Sequence, residues 1–139
     1  MKSTMVLSSM KGETASWLAY AQDNVDAAEI LITSELYNPA LQNIQQVIEK
    51  YLKALLLDTG TRLKRTHSIN ELVSLLKDNS IMVKIDDDEI DLIDSIYLPS
   101  KYPGGSALPD FIPDKIICNK CFDILMKVKQ SVSDYLNAA

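Results

Sequence analysis

Along nearly the whole chain, apolar side chains return every three or four residues, and no stretch alternates apolar with polar as a half-buried strand must. That period lines one face of a helix. The breaks constrain the fold as much as the period does. The 139 residues contain only four glycines and five prolines, and most of them sit around Gly60 and between Pro99 and Pro113. The pattern predicts helices over residues 14–35, 38–59, 68–79, 86–96 and 114–136, with a proline- and glycine-rich loop over 99–113. The fold class is all-α, an antiparallel up-and-down helical bundle of about five helices, four of them long or medium and one short. The length is that of one domain, here residues 1–139, with 1–12 read as a flexible N-terminal segment.

Local signals set the expected boundaries. Thr14 reads as a cap for the first helix. Asn38 reads as a cap for the second, with Pro39 at its first helical position, where no N–H is needed. Gly60 suits the left-handed residue after that helix. Ser68 and Glu71 have capping-box spacing, and the acids from Asp86 to Glu89 suit the positive end of a helix dipole. The expected core stripes are Trp17, Leu18, Ala21, Val25, Ala28, Leu31 and Ile32, then Leu41, Ile44, Ile48, Tyr51, Leu52, Leu55 and Leu56. The last helix adds Ile117, Cys121, Ile124, Val128, Val132 and Tyr135. The first two helices are joined by so few residues that they must be antiparallel neighbours.

Apolar residues make up 47% of the chain and charged residues 24%, which excludes a disordered or fibrous protein. Nineteen acids against 14 Lys plus Arg give a net charge of −5. A protein that wraps duplex nucleic acid is usually basic, so any nucleotide or RNA role must use a local patch. No run reaches the roughly 18 apolar residues of a membrane span. The first ten residues lack the apolar stretch of a secretory leader, so the protein is expected to be cytoplasmic, with Cys118 and Cys121 as thiols.

Four groupings bear on chemistry. Lys50, Lys53, Arg62, Lys64, Arg65 and His67 reverse the sign of the chain around the end of the second helix. They form either an anion-binding patch or a solvated turn that complements the helix dipole. Tyr97, Lys101 and Tyr102 combine aromatics with a cation, which suits a base and its phosphate, or else a tyrosine packed on the bundle end. Four residues stand between Arg62 and His67. The two could supply the cation and the proton acceptor of metal-independent RNA cleavage, or His67 could simply cap or pack. Cys118 and Cys121 form a single CxxC without the further ligands that zinc requires, and no strand precedes them as a redox motif would need. No metal site and no cofactor is expected. Glu49 and Lys53 read as an ordinary i, i+4 pair on the second helix.

The order of these features resembles a known family. Tyr37-Asn38-Pro39-Ala40 followed by Gln45-Gln46-Val47-Ile48-Glu49-Lys50-Tyr51-Leu52-Lys53-Ala54-Leu55-Leu56 is similar to the second helix of HEPN domains, the higher-eukaryote and prokaryote nucleotide-binding domains. The Trp17, Ala21, Ala28, Leu31 pattern, the turn Thr66-His67-Ser68, and Tyr97-Leu98-Pro99-Ser100-Lys101-Tyr102-Pro103 fit the same family in the same order. The resemblance implies an antiparallel bundle and a homodimer. It also implies, for prokaryotic stand-alone members, a minimal nucleotidyltransferase as partner in a toxin–antitoxin-like pair. On this reading the nucleotide- or anion-binding residues are Lys50, Lys53, Lys64, Arg65, His67, Tyr97, Lys101 and Tyr102. Some branches are RNases with an Arg-x(4–6)-His motif, which Arg62 and His67 match, although family motifs usually lie later in the chain. The three readings are a nucleotide- or transferase-binding module, a metal-independent RNase, and an oligomerisation scaffold without a small ligand.

Overall fold

A computed structural model of the chain describes residues 12–62, 65–101 and 113–138. Among the described residues there are five helices and no strand. They are α1 (Gly12–Thr33), α2 (Tyr37–Asp58), α3 (Ile69–Asp78), α4 (Asp87–Lys101) and α5 (Lys115–Ala138). The class and the order of elements are those expected from the period. The loop residues 102–112 and most of the segment read as N-terminal lie outside the described residues.

The central helix is α2, which packs against each of the other four. Its predicted stripe is buried throughout, and so are Ala40, Val47 and Ala54 on its remaining sides. A helix buried over so much of its circumference belongs in the middle of a bundle. The helix α1 lies along α2, and its small buried residues Ala21 and Ala28 let the two backbones come close. On α5, Cys118, Cys121, Ile124, Leu125, Val128 and Val132 are buried. Tyr135, expected on that stripe, is 36% exposed, and Leu136 is buried in its place. From Val132, a four-residue step stays on the buried face, whereas the three-residue step leaves it.

Three helices end in the same way. In α2 the Gly60 N–H donates to the Leu57 carbonyl and the Thr61 N–H to Leu56, with Gly60 at φ 79°. Paired bonds of this pattern satisfy carbonyls that the helix end would otherwise leave open. The same pattern closes α1 at Glu35 (φ 61°) and α3 at Ser80 (φ 62°). Glu35 was expected to be helical; instead it is the left-handed residue that stops α1.

The starts correct several expectations. Because α1 begins at Gly12, Thr14 is its third residue, not its cap. Leu36 occupies the cap position of α2 without a side-chain bond, so Asn38 does not cap and Pro39 is the third helical residue. Proline is still tolerated there, because the first-turn N–H groups have no helical partner. Ser68 does cap α3 by accepting from the Glu71 N–H at 3.2 Å, but the Glu71 carboxylate turns to the Thr66 hydroxyl at 2.9 Å. The full reciprocal box lies at α4 instead. There the Glu89 N–H donates to Asp86 Oδ1 (2.8 Å) and the Asp86 N–H donates to Glu89 Oε1 (3.0 Å).

The helix α4 also runs five residues further than expected, through Pro99 to Lys101. Proline removes one ladder bond and crowds the preceding turn. Close to a helix end, few further bonds depend on the one it removes. Three contacts outside the core tie the later elements down. Asp94 of α4 accepts from the backbone at the start of α3, the Lys84 N–H donates to Ser131 Oγ of α5 at 3.0 Å, and Lys127 of α5 pairs with Glu89 at 2.6 Å. No helix among the described residues is long and apolar enough to cross a membrane.

Candidate functional site

Gln45, Glu49 and Lys53 stand one helical turn apart on α2, so they form a polar row along one line of the helix. All three are buried, at 1%, 9% and 8% exposure. The centre of the row is the Glu49 carboxylate. Lys53 Nζ donates to its Oε2 at 2.9 Å. Gln45 Nε2 donates to its Oε1 at 3.3 Å, and also to the His67 carbonyl at 3.3 Å. His67 Nδ1 lies 2.9 Å from Oε1.

The ionised carboxylate can only accept, so Nδ1 carries the hydrogen, and in the neutral ring Nε2 is the basic nitrogen. The His67 side chain remains 55% exposed while Glu49 behind it is 11% exposed. A buried carboxylate therefore holds the chain's one histidine in a fixed tautomer and orientation at the surface.

The turn that carries His67 is itself fixed. The Ser68 N–H donates to Thr66 Oγ1 at 3.1 Å. Asp94 accepts from the Ile69 N–H at 2.7 Å, the Asn70 N–H at 3.1 Å and the Ser68 hydroxyl at 3.5 Å. A carboxylate at this place meets the positive end of α3 and satisfies donors that the helix cannot. The position of His67 is thus set from α2 by Glu49 and Gln45, and from α4 by Asp94.

On its other side the row meets α1. Lys53 Nζ sits 5.8 Å from the centroid of the Trp17 ring, and Lys50 Nζ sits 6.0 Å from that of Tyr20. These are the outer distances at which an ammonium is held over an aromatic face. An open groove beside them is lined by Gly12, Glu13, Ser16, Trp17, Tyr20 and Lys50.

Of the residues singled out in the sequence, the structure brings Lys53 and His67 together through Glu49. Lys50 is one turn away, over Tyr20. Arg62 and Arg65 are exposed on the α2–α3 turn. The backbone of Tyr97 and Lys101 belongs to α4, while Lys64 and Tyr102 lie outside the described residues. The reading of Glu49–Lys53 as an ordinary i, i+4 pair is corrected, because both side chains are about nine-tenths buried. Glu49, Gln45, Asp94 and Trp17 were not picked out as site residues. The sequence offers two polar rows at i, i+4 and i+8 on this helix, Gln42, Gln46, Lys50 and Gln45, Glu49, Lys53, and only packing shows that the second is the buried one.

The cysteines stand apart from this site. Both are buried on α5, and Cys118 Sγ–H donates to the Tyr37 carbonyl at 3.4 Å. Burial, with a smaller contribution from Asp114, pushes the Cys118 thiol up to about 11. Burial, with Cys118 adding to it, pushes Cys121 up to about 12. Such thiols are poor nucleophiles at neutral pH. Among the described residues no group of three or more His, Cys, Asp and Glu is placed to hold a metal ion.

Comparison with solved structures finds the same architecture in two prokaryotic proteins. The crystal structure of TT1696 from Thermus thermophilus superposes with a TM-score of 0.72 at 24% identity, over 89% of this chain and 98% of that one. The structure of ST0689, an archaeal HEPN homologue, gives 0.66 at 22% identity, over 88% and 97%. At these identities the likeness concerns the fold. No curated protein is significantly similar in sequence. The HEPN domain family model matches residues 14–135, nearly the full length of the bundle. The chain therefore belongs to the HEPN domain family.

Proposed function

We propose that the chain is a binding module for a nucleotide or for the nucleotide-bearing face of a protein partner, with the α2–α3 turn as its contact surface. The observation that carries this reading is the buried Glu49 carboxylate, which meets Lys53 and holds His67 at the surface. Placing a carboxylate and an ammonium in a core costs several kcal/mol per ion, and well-packed apolar residues would serve stability as well or better. The row is better explained by what it positions. Arg62, Arg65 and Lys50 then offer donors and positive charge, and His67 a basic ring nitrogen, in a chain whose net charge is −5. Lys53 is a positioning residue in this scheme, because Glu49 already meets its charge.

Family membership supports a two-fold assembly and a minimal nucleotidyltransferase as the protein partner. The experiment is a thermal-shift series with ATP, GTP, single-stranded RNA and inorganic phosphate at two salt concentrations. A ligand at about 100 times its Kd adds about 2.7 kcal/mol, which is several degrees for a domain of this size. A nucleotide should raise Tm more than phosphate does, and Arg65→Ala with His67→Ala should remove the difference. If no ligand shifts Tm, the nucleotide half of this reading fails, and the turn is left as an interface for the protein partner.

One observation favours a second reading. With Nδ1 committed to Glu49, Nε2 of His67 is the nitrogen suited to accept a proton from a ribose 2′-hydroxyl, and Arg62 would meet the charge developing on phosphorus. A metal-independent RNase of this kind should cleave RNA in the presence of EDTA. His67→Ala should slow it by about 100-fold or more.

A further inference from the structure

We propose that the groove between α1 and the C-terminal half of α2 is a stacking subsite for the base of a nucleoside phosphate; this rests on the nucleotide reading above and locates the base. Two aromatic–lysine pairs build the wall. Trp17 and Tyr20 are three residues apart on α1, and Lys53 and Lys50 are three residues apart on α2, so the pairs lie side by side across the helix interface. Tyr20 is 63% exposed, which makes it a large ring that the core does not use. Among the described residues the rim is open as well, because a Cβ added at Gly12 would meet none of them within 4 Å.

The charges say how a ligand would lie. Glu49 neutralises Lys53, which leaves Lys50 as the cation and Glu13 as the acid lining the groove among the described residues. A phosphate is drawn to Lys50 on α2 and repelled from Glu13 at the start of α1. The aromatic rings accept any base, since every base has a π-face. Lys50 sharpens the choice towards bases that bear a phosphate. The subsite also adjoins the polar row, because Lys53 lies over Trp17 and bonds to Glu49, and Glu49 bonds to His67. A ligand that stacks here has its phosphate on the α2 side of the groove, the side from which His67 is held.

Trp17 is the only tryptophan, so intrinsic fluorescence reports on the groove directly. The test titrates the full chain with AMP, adenosine, ribose 5-phosphate and a short single-stranded oligoadenylate, with equilibrium dialysis as an independent measure of binding. AMP or oligoadenylate should quench Trp17, and ribose 5-phosphate should not. Tyr20→Ala should weaken binding of the quenching ligand by about 5- to 150-fold, the range one stacked base is worth, and Tyr20→Phe should restore it. Lys50→Met should weaken AMP and leave adenosine unchanged. Tighter binding of oligoadenylate would assign the base to a strand, and tighter binding of AMP to a free nucleotide; either supports the subsite. AMP bound in dialysis without quenching, and indifferent to Tyr20→Ala, would overturn the subsite and leave nucleotide binding standing. No binding of AMP or oligoadenylate in dialysis would overturn both.

Discussion

At the scale of single residues, the consequential group is Glu49. Its two oxygens serve three side chains, and it stands where a bundle normally places leucine. Removing one partner of a buried pair leaves the other without its counter-charge. Glu49→Ala should therefore cost about 3–5 kcal/mol, measured by urea unfolding. The double variant Glu49→Leu with Lys53→Met should recover most of that loss, because two apolar side chains of similar size need no compensation. A single variant within about 1 kcal/mol of the parent would mean that water reaches the pair and the burial argument is wrong. The same double variant should release His67 from its fixed orientation, so a stable protein that no longer binds nucleotide would separate positioning from stability.

At the scale of elements, the boundaries depend on particular bonds rather than on propensity. Asp94 serves three groups at the start of α3 although it belongs to α4. Asp94→Ala should cost about 1–2 kcal/mol in urea unfolding, the usual value of a lost cap, and should loosen the turn that carries His67. Amide exchange at Ile69 and Asn70 should then rise, and a change confined to distant amides would contradict the assignment. Gly60 has a positive φ of 79°, where a Cβ crowds the backbone. Gly60→Ala should cost about 1–2 kcal/mol with little change in the folded structure, as a urea midpoint and an unchanged helical spectrum would show.

Titration is a property of the whole molecule. Burial raises Cys118 to about 11 and Cys121 to about 12, and Tyr51 to about 12 with Asp26 adding to it. Each group is neutral when protonated, and each binds its proton more tightly in the folded state. Their contribution to stability is complete below the ordinary values of 9.0 for the thiols and 10.0 for the tyrosine. It is lost as pH rises through the folded-state values. The melting temperature should fall between pH 9 and 12, and Cys121→Ser should reduce that fall. Both thiols should react with a disulfide reagent at the rate of global unfolding at neutral pH, whereas rapid labelling of the native protein would contradict their burial.

The sequence by itself determined the fold class, the order of the five helices and most of the core. Those follow from a period that only a helix can bury, read at residues such as Leu41, Ile44, Ile48 and Leu52. Gly60 and Ser68 were legible too, because their roles depend on neighbours within a few positions. The starts and ends of α1, α2 and α4 were less so. Glu35 shows why: a left-handed stop is favoured in glycine, but a non-glycine residue can be held there by two backbone bonds. The candidate site was only half legible. His67 and the basic residues of its turn stand out in a chain with one histidine and an acidic net charge. Glu49, Gln45 and Asp94 do not, since each is an ordinary helix residue until the helices pack. Tertiary structure alone decided that Glu49 and Lys53 are buried, that Asp94 reaches a helix other than its own, and that Trp17 and Tyr20 face two lysines across an interface. Local pattern fixes which face of a helix turns inward, whereas the partner of a polar group depends on side chains brought together from distant parts of the chain.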